Sequence, residues 1–141
     1  MTHTILMIEN NSNDELLAKM IFEQISPNIN IVVMHDGAEG LAYLMQVNQR
    51  GETLPDLILL DLKMPKLSGM DVLRRVKYDN TIRSIPVVVF SSSSEPEDIY
   101  NAYSSRANSY IQKPMDYNKL RDVLTTVATY WLECCQLPSS I

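Results

Sequence analysis

Residues 55–65 read PDLILLDLKMP, and within them Leu57-Ile58-Leu59-Leu60 is an uninterrupted apolar run that ends on a carboxylate, Asp61. A short continuous run bounded by turn residues suits a strand covered on both faces, as in the interior of a parallel sheet. A buried carboxylate without a partner costs several kcal/mol or takes up a proton. Asp61 therefore needs water, a cationic partner or a metal. The plain alternative is a strand end that meets solvent, with the Asp opening a turn ahead of Pro65.

Four further runs of the same kind lie at 5–8, 29–34, 87–90 and 109–111, and helical patterns separate them. Ser12-Asn13-Asp14-Glu15 has the form of a capping box, followed by Leu16, Leu17, Met20, Ile21 and Ile25. Asp36 opens a second helix carrying Leu41, Leu44 and Met45, and Ser68 caps a third through Val72, Leu73 and Val76. Ser94, with Pro96 and Glu97 just inside, caps a fourth bearing Ile99, Ala102 and Tyr103. After Asp116, residues Leu120, Val123, Leu124, Val127 and Trp131 form one apolar stripe of a fifth helix. Residues 48–53, NQRGET, read as a loop. Five strand–helix units in series predict an α/β fold, a five-stranded parallel sheet with right-handed crossovers and helices on both faces.

The bulk composition excludes several function classes. With 141 residues, 45% of them hydrophobic and 21% charged, the chain has the size and balance of one globular domain, 1–141, with a short tail from about 134. A net charge of -5 argues against a nucleic-acid footprint, which needs clustered Lys and Arg. No apolar run is long enough for a membrane span, and the N-terminus lacks the basic segment of a signal peptide, so a cytoplasmic protein is expected. The two cysteines, Cys134 and Cys135, are adjacent and read as reduced thiols on a terminal helix. Neither His3 nor His35 has a spaced partner for a metal or catalytic pair.

In open α/β sheets the ligand site lies beyond the carboxyl ends of the strands. The first strand ends in Glu9-Asn10, the third in Asp61, the fourth in Ser91-Ser92, and the fifth leads into Lys113-Pro114. Two carboxylates, an amide, a hydroxyl and an ammonium would gather around one pocket. Only four glycines occur and none is near Glu9, so a Gly-rich nucleotide or flavin loop is missing.

Glu9-Asn10, PDLILLDLKMPKLSG at 55–69, IPVVVFSSS at 85–93 and SYIQKP at 109–114 together resemble the receiver domain of two-component response regulators, in order and spacing and over nearly the whole chain. The resemblance implies a flavodoxin-like, doubly wound sheet in the order 2-1-3-4-5. It implies Asp61 as phosphoacceptor from a sensor histidine kinase, and self-catalysed, Mg2+-dependent phosphorylation and dephosphorylation. The Mg2+ ligands it implies are Asn10, Asp61 and the backbone carbonyl of Lys63, with Glu9 acting through bound water. Lys113 would hold a phosphoryl oxygen from a solvent-facing position, and the bond to Pro114 would be cis. Ser91, five positions after Pro86, matches the family's switching hydroxyl, with Ser92 the neighbour that could be mistaken for it. Tyr110 matches the partner that rotates inward. The alternative for Tyr110 is a half-buried strand tyrosine without a switching role.

One departure stands out: the family usually has two acids at the end of the first strand, and here Asn10 replaces the second, which is expected to weaken Mg2+ binding. It is also the one feature favouring a pseudo-receiver that binds partners without phosphorylation. An aspartyl-phosphate phosphatase would want a second Asp two residues after Asp61, where Lys63 stands. The loop at 48–55 and TYWLECCQLP at 129–138 resemble the small single-domain regulators paired with phytochrome-type kinases. In those relatives the late helices and C-terminal segment contribute to homodimers, and output would pass to a downstream protein. Trp131 is either an interface residue or ordinary core of the last helix.

Overall fold

Strands β1 (His3–Ile8), β2 (Ile29–Met34), β3 (Leu57–Leu60), β4 (Val87–Ser91) and β5 (Ser109–Gln112) alternate with helices α1 (Ser12–Ile25), α2 (Gly37–Gln49), α3 (Gly69–Tyr78), α4 (Pro96–Ser104) and α5 (Tyr117–Ala128) in the computed structural model, which describes residues 2–138. A π-helical turn, Thr129–Cys134, continues α5. Residues Ser139, Ser140 and Ile141 of the expected tail lie outside the described residues. All pairings are parallel and the order is β2-β1-β3-β4-β5, as the resemblance implies.

The strand period of two divides the core into two layers. Leu6, Ile8, Ile58, Leu60, Val87 and Val89 face Leu41, Leu44, Val72, Leu73 and Val76 from α2 and α3. Ile5, Met7, Leu57, Leu59, Val88 and Phe90 face Ala18, Ile21, Phe22, Leu124 and Val127 from α1 and α5. Each fully buried aliphatic side chain contributes roughly 1.5–3 kcal/mol, so these layers fix the sheet and everything at its rim. β3 and β4 are buried throughout, whereas the edge strands β2 and β5 are only partly so.

Helices α2, α3 and α5 start where expected. The side chains of Asp36, Ser68 and Asp116 accept from the backbone N–H groups of Glu39, Asp71 and Lys119 at 2.8, 3.2 and 3.0 Å. Two caps differ. At α1 the cap is Asn11, whose Oδ1 accepts from the Asp14 N–H at 3.0 Å, so Ser12 lies inside the helix and no Ser12 capping box forms. Asn11 is held extended there because its own N–H donates to Glu9 Oε2 at 3.1 Å. At α4 the cap position is Glu95, and Ser93 rather than Ser94 does the work. Its Oγ accepts from the Glu95 N–H at 3.2 Å and donates to Asp98 Oδ2 at 2.5 Å.

Asn48 and Gln49, read as loop, form the last turn of α2. Among the described residues no peptide bond is cis, so Lys113–Pro114 is trans, the isomer that even X–Pro bonds prefer by roughly 0.5–1 kcal/mol. No helix of the described residues is long and apolar enough to cross a membrane.

Candidate functional site

The sheet ladders run one residue past the strands and pin the site at their carboxyl ends. Glu9 N–H donates to Met34 O at 3.0 Å, Asp61 N–H to Ile8 O at 3.1 Å, and Lys113 N–H to Ser91 O at 2.7 Å. After Asp61 the chain turns tightly enough that Gly69 N–H reaches Leu62 O at 3.1 Å. A Cβ on Gly69 would overlap the Asp61 carbonyl oxygen and the Leu62 Cα. Only glycine lets the first turn of α3 press against the backbone that carries Asp61.

Lys113 ties the rim together. Its Nζ lies 2.7 Å from Glu9 Oε1, 2.9 Å from Asp14 Oδ2 and 3.4 Å from Asp61 Oδ2. Glu9 is 1% exposed and Asp61 7%, and the Lys113 side chain is 11% exposed. The expectation of a solvent-facing lysine is thus wrong: three acceptors fold the ammonium back over the strand ends, 6.0 Å from the Phe90 ring centroid. Asp61 Oδ1 also accepts from the Lys63 N–H at 3.3 Å. The acid at the end of the apolar run is therefore neither unpaired nor a plain turn residue.

Burial pushes the Glu9 carboxyl up to about 7, with the Asp61 charge adding to it and the Lys113 hydrogen bond opposing it. For Lys113, burial works against the charged form, but hydrogen bonds to Glu9 and Asp14 and the attraction of Glu9 and Asp61 outweigh it. Its pKa is held above the ordinary value.

Three carboxylates share one ammonium, so the pocket carries an excess of negative charge when all are ionised. A set of carboxylate, amide and carbonyl oxygens around such an excess suits a hard divalent cation. Among the described residues no cluster of three or more His, Cys, Asp or Glu side chains is placed to hold a metal unaided. Asn10 and Lys63 have exposed side chains and stand next in sequence to Glu9 and two past Asp61.

Asp14 is the site residue that sequence reasoning missed. It lies inside Ser12-Asn13-Asp14-Glu15, a segment whose local pattern points only to helix initiation. The available signal was its place one turn into a helix that starts at a ligand-facing strand end.

Among the described residues the Ser91 hydroxyl makes no hydrogen bond to the ammonium cluster, although the Lys113 N–H donates to the Ser91 carbonyl. Ser91 is buried and its Oγ accepts from the Ser93 N–H at 3.2 Å, while Ser92 is exposed and lines a cavity together with Lys113. Tyr110 already packs against the α2/α3 core layer. Its hydroxyl donates to Ser93 O at 2.8 Å, and its N–H donates to the Tyr103 hydroxyl at 3.1 Å. Trp131 is half-buried against the α1/α5 layer and meets Tyr130 edge-to-face at 5.1 Å. Cys134 and Cys135 are free thiols.

Similarity to known proteins follows the same pattern. The chain is 36% identical over 128 residues to the probable methanogenesis regulatory protein FilR2 of Methanothrix harundinacea, covering 91% of this chain and 83% of that one. It superimposes on the phosphorylated cyanobacterial phytochrome response regulator RcpA with a TM-score of 0.92 at 35% identity, covering 99% and 100% of the two chains. With the Mn2+-bound form of response regulator Rcp1 the TM-score is 0.88 at 29% identity, covering 97% and 99%. Rcp1 is a Synechocystis protein. The family model described as response regulator receiver domain matches residues 5–125, most of the chain, and the chain belongs to that family.

Proposed function

We propose that this receiver domain is a phosphoacceptor. Asp61 takes a phosphoryl group from a phosphohistidine of a sensor histidine kinase and holds it as an acyl phosphate. The observation that carries this reading is a nearly buried carboxylate whose Oδ2 stands 3.4 Å from a lysine ammonium. An Asp61 carboxylate oxygen attacks phosphorus, the P–N bond breaks, and the imidazole nitrogen leaves with the bonding pair and takes a proton. Lys113 is placed to exchange its long Asp61 bond for a phosphoryl oxygen, a charge-assisted contact that strengthens as charge accumulates there.

Glu9, Asn10, Asp61 and the carbonyl of Lys63 would hold Mg2+, which when bound neutralises oxygens of the transferring group. The Mn2+ in the Rcp1 structure supports a divalent ion in this role. The similarity to RcpA, a phytochrome response regulator, supports a phytochrome-type kinase as the donor. Ser91 and Tyr110 are the candidate switch: a hydroxyl drawn from Ser93 N–H toward the phosphoryl group would loosen the loop on which the Tyr110 hydroxyl is bonded.

Intact-mass measurement after incubation with a small phosphodonor and Mg2+ should show a gain of one phosphoryl group, lost on hydroxylamine treatment and absent when Mg2+ is chelated. A chain that never gains mass would instead be a phosphorylation-independent binding module.

A second expected result concerns Asn10. Its amide oxygen ligates a hard cation but brings no charge, so Asn10→Asp should tighten Mg2+ binding about ten-fold, read by calorimetry on the unphosphorylated protein. Equal affinities would show that the third carboxylate, Asp14, already makes good the charge.

A further inference from the structure

We propose that Asp14 is a positioning residue that competes with the phosphoryl group for Lys113, and so sets how firmly the phosphorylated state is held. This rests on the phosphoacceptor reading and adds a residue to it.

Lys113 has three N–H donors and three carboxylate acceptors, at 2.7 Å (Glu9), 2.9 Å (Asp14) and 3.4 Å (Asp61). The longest bond is the one the phosphoryl group must replace. Reaching a phosphoryl oxygen on Asp61 moves the ammonium toward that side and strains the bonds to Glu9 and Asp14. Glu9 is sealed in, but the Asp14 side chain is 36% exposed while it holds Lys113 Nζ at 2.9 Å.

Asp14 therefore acts twice in the same direction. It draws the ammonium away from the phosphoryl oxygens, and its charge repels them. The α1 backbone holds it there: the Asp14 N–H donates to the Asn11 cap, so the carboxylate leaves from a fixed first turn. Its charge also adds to the pull on a divalent cation, so the two roles separate only when Mg2+ saturates.

The experiment is binding of trifluoroberyllate, a tetrahedral phosphoryl mimic, at saturating Mg2+ to the parent, Asp14→Asn and Asp14→Glu. One partly exposed charge-assisted contact corresponds to about a five-fold change in affinity. Asp14→Asn is expected to bind the mimic tighter by about that factor, and its acyl phosphate should decay more slowly. Asp14→Glu should return to the parent value, and Mg2+ alone should bind Asp14→Asn more weakly than the parent. Damage to the fold would weaken every ligand, so a gain for one and a loss for the other marks the proposed role. Equal or weaker binding of the mimic by Asp14→Asn, with the parent binding normally, overturns this inference and leaves the phosphoacceptor reading standing. Asp14→Glu as tight as Asp14→Asn overturns it too. A parent that binds no mimic removes both.

Discussion

Asp61→Asn is expected to abolish acyl phosphate formation while leaving the fold in place. The substitution is isosteric, and the amide oxygen can still accept from the Lys63 N–H that now bonds Oδ1. What disappears is the nucleophile: a neutral amide oxygen does not form a stable bond to phosphorus, and no rearrangement of Lys113 restores it. Stability should change little, because Lys113 keeps Glu9 and Asp14 as partners at 2.7 and 2.9 Å. Intact-mass spectra of parent and variant under saturating phosphodonor and Mg2+ decide the matter. A full phosphoryl gain in Asp61→Asn would move the acceptor to Glu9 or Asp14, the other carboxylates bonded to Lys113.

How much of this was legible in the sequence follows from what each signal depends on. The apolar runs at 57–60 and 87–90 are continuous because both faces of β3 and β4 are covered, so a local pattern reports a global arrangement. Strand-end residues were legible for a related reason: a parallel sheet sends every carboxyl end to one rim, which places Glu9, Asp61 and Lys113 together without coordinates.

The failures are of another kind. Asn11 displaced Ser12 as cap because its N–H is held by Glu9, a contact between loop and site that propensity does not see. Ser93 displaced Ser94 through Asp98, a partner one helical turn on. Asp14 was hidden because its role depends on a lysine 99 positions away. The orientation of Lys113 was misjudged for the same reason, since three acceptors from different segments decide it.

The inward-folded Lys113 makes Lys113→Ala a stability experiment as well as a functional one. Removing one member of a buried ion pair leaves the other charged and unpaired, at a cost of about 3 kcal/mol. Here the stranded group is Glu9, which burial already raises from 4.5 to about 7. A carboxyl with a raised pKa contributes its full stability when protonated, below pH 4.5, and that contribution drains away as pH rises through about 7. Without Lys113, Glu9 loses the hydrogen bond and the attraction that restrain its pKa, so the loss deepens and extends to higher pH. Lys113→Ala should therefore cost about 3 kcal/mol at pH 8 and about 1 kcal/mol at pH 5, where Glu9 takes a proton and only the partly exposed Asp14 contact and the long, 3.4 Å Asp61 contact are missed. A cation that binds only the folded chain stabilises it in proportion to occupancy, so Mg2+ at pH 8 should recover part of the loss. Urea unfolding of parent and variant at both pH values, with and without Mg2+, reads all of this. Equal losses at pH 5 and pH 8 would mean that Lys113 holds the rim by packing over Phe90 and not by its charge.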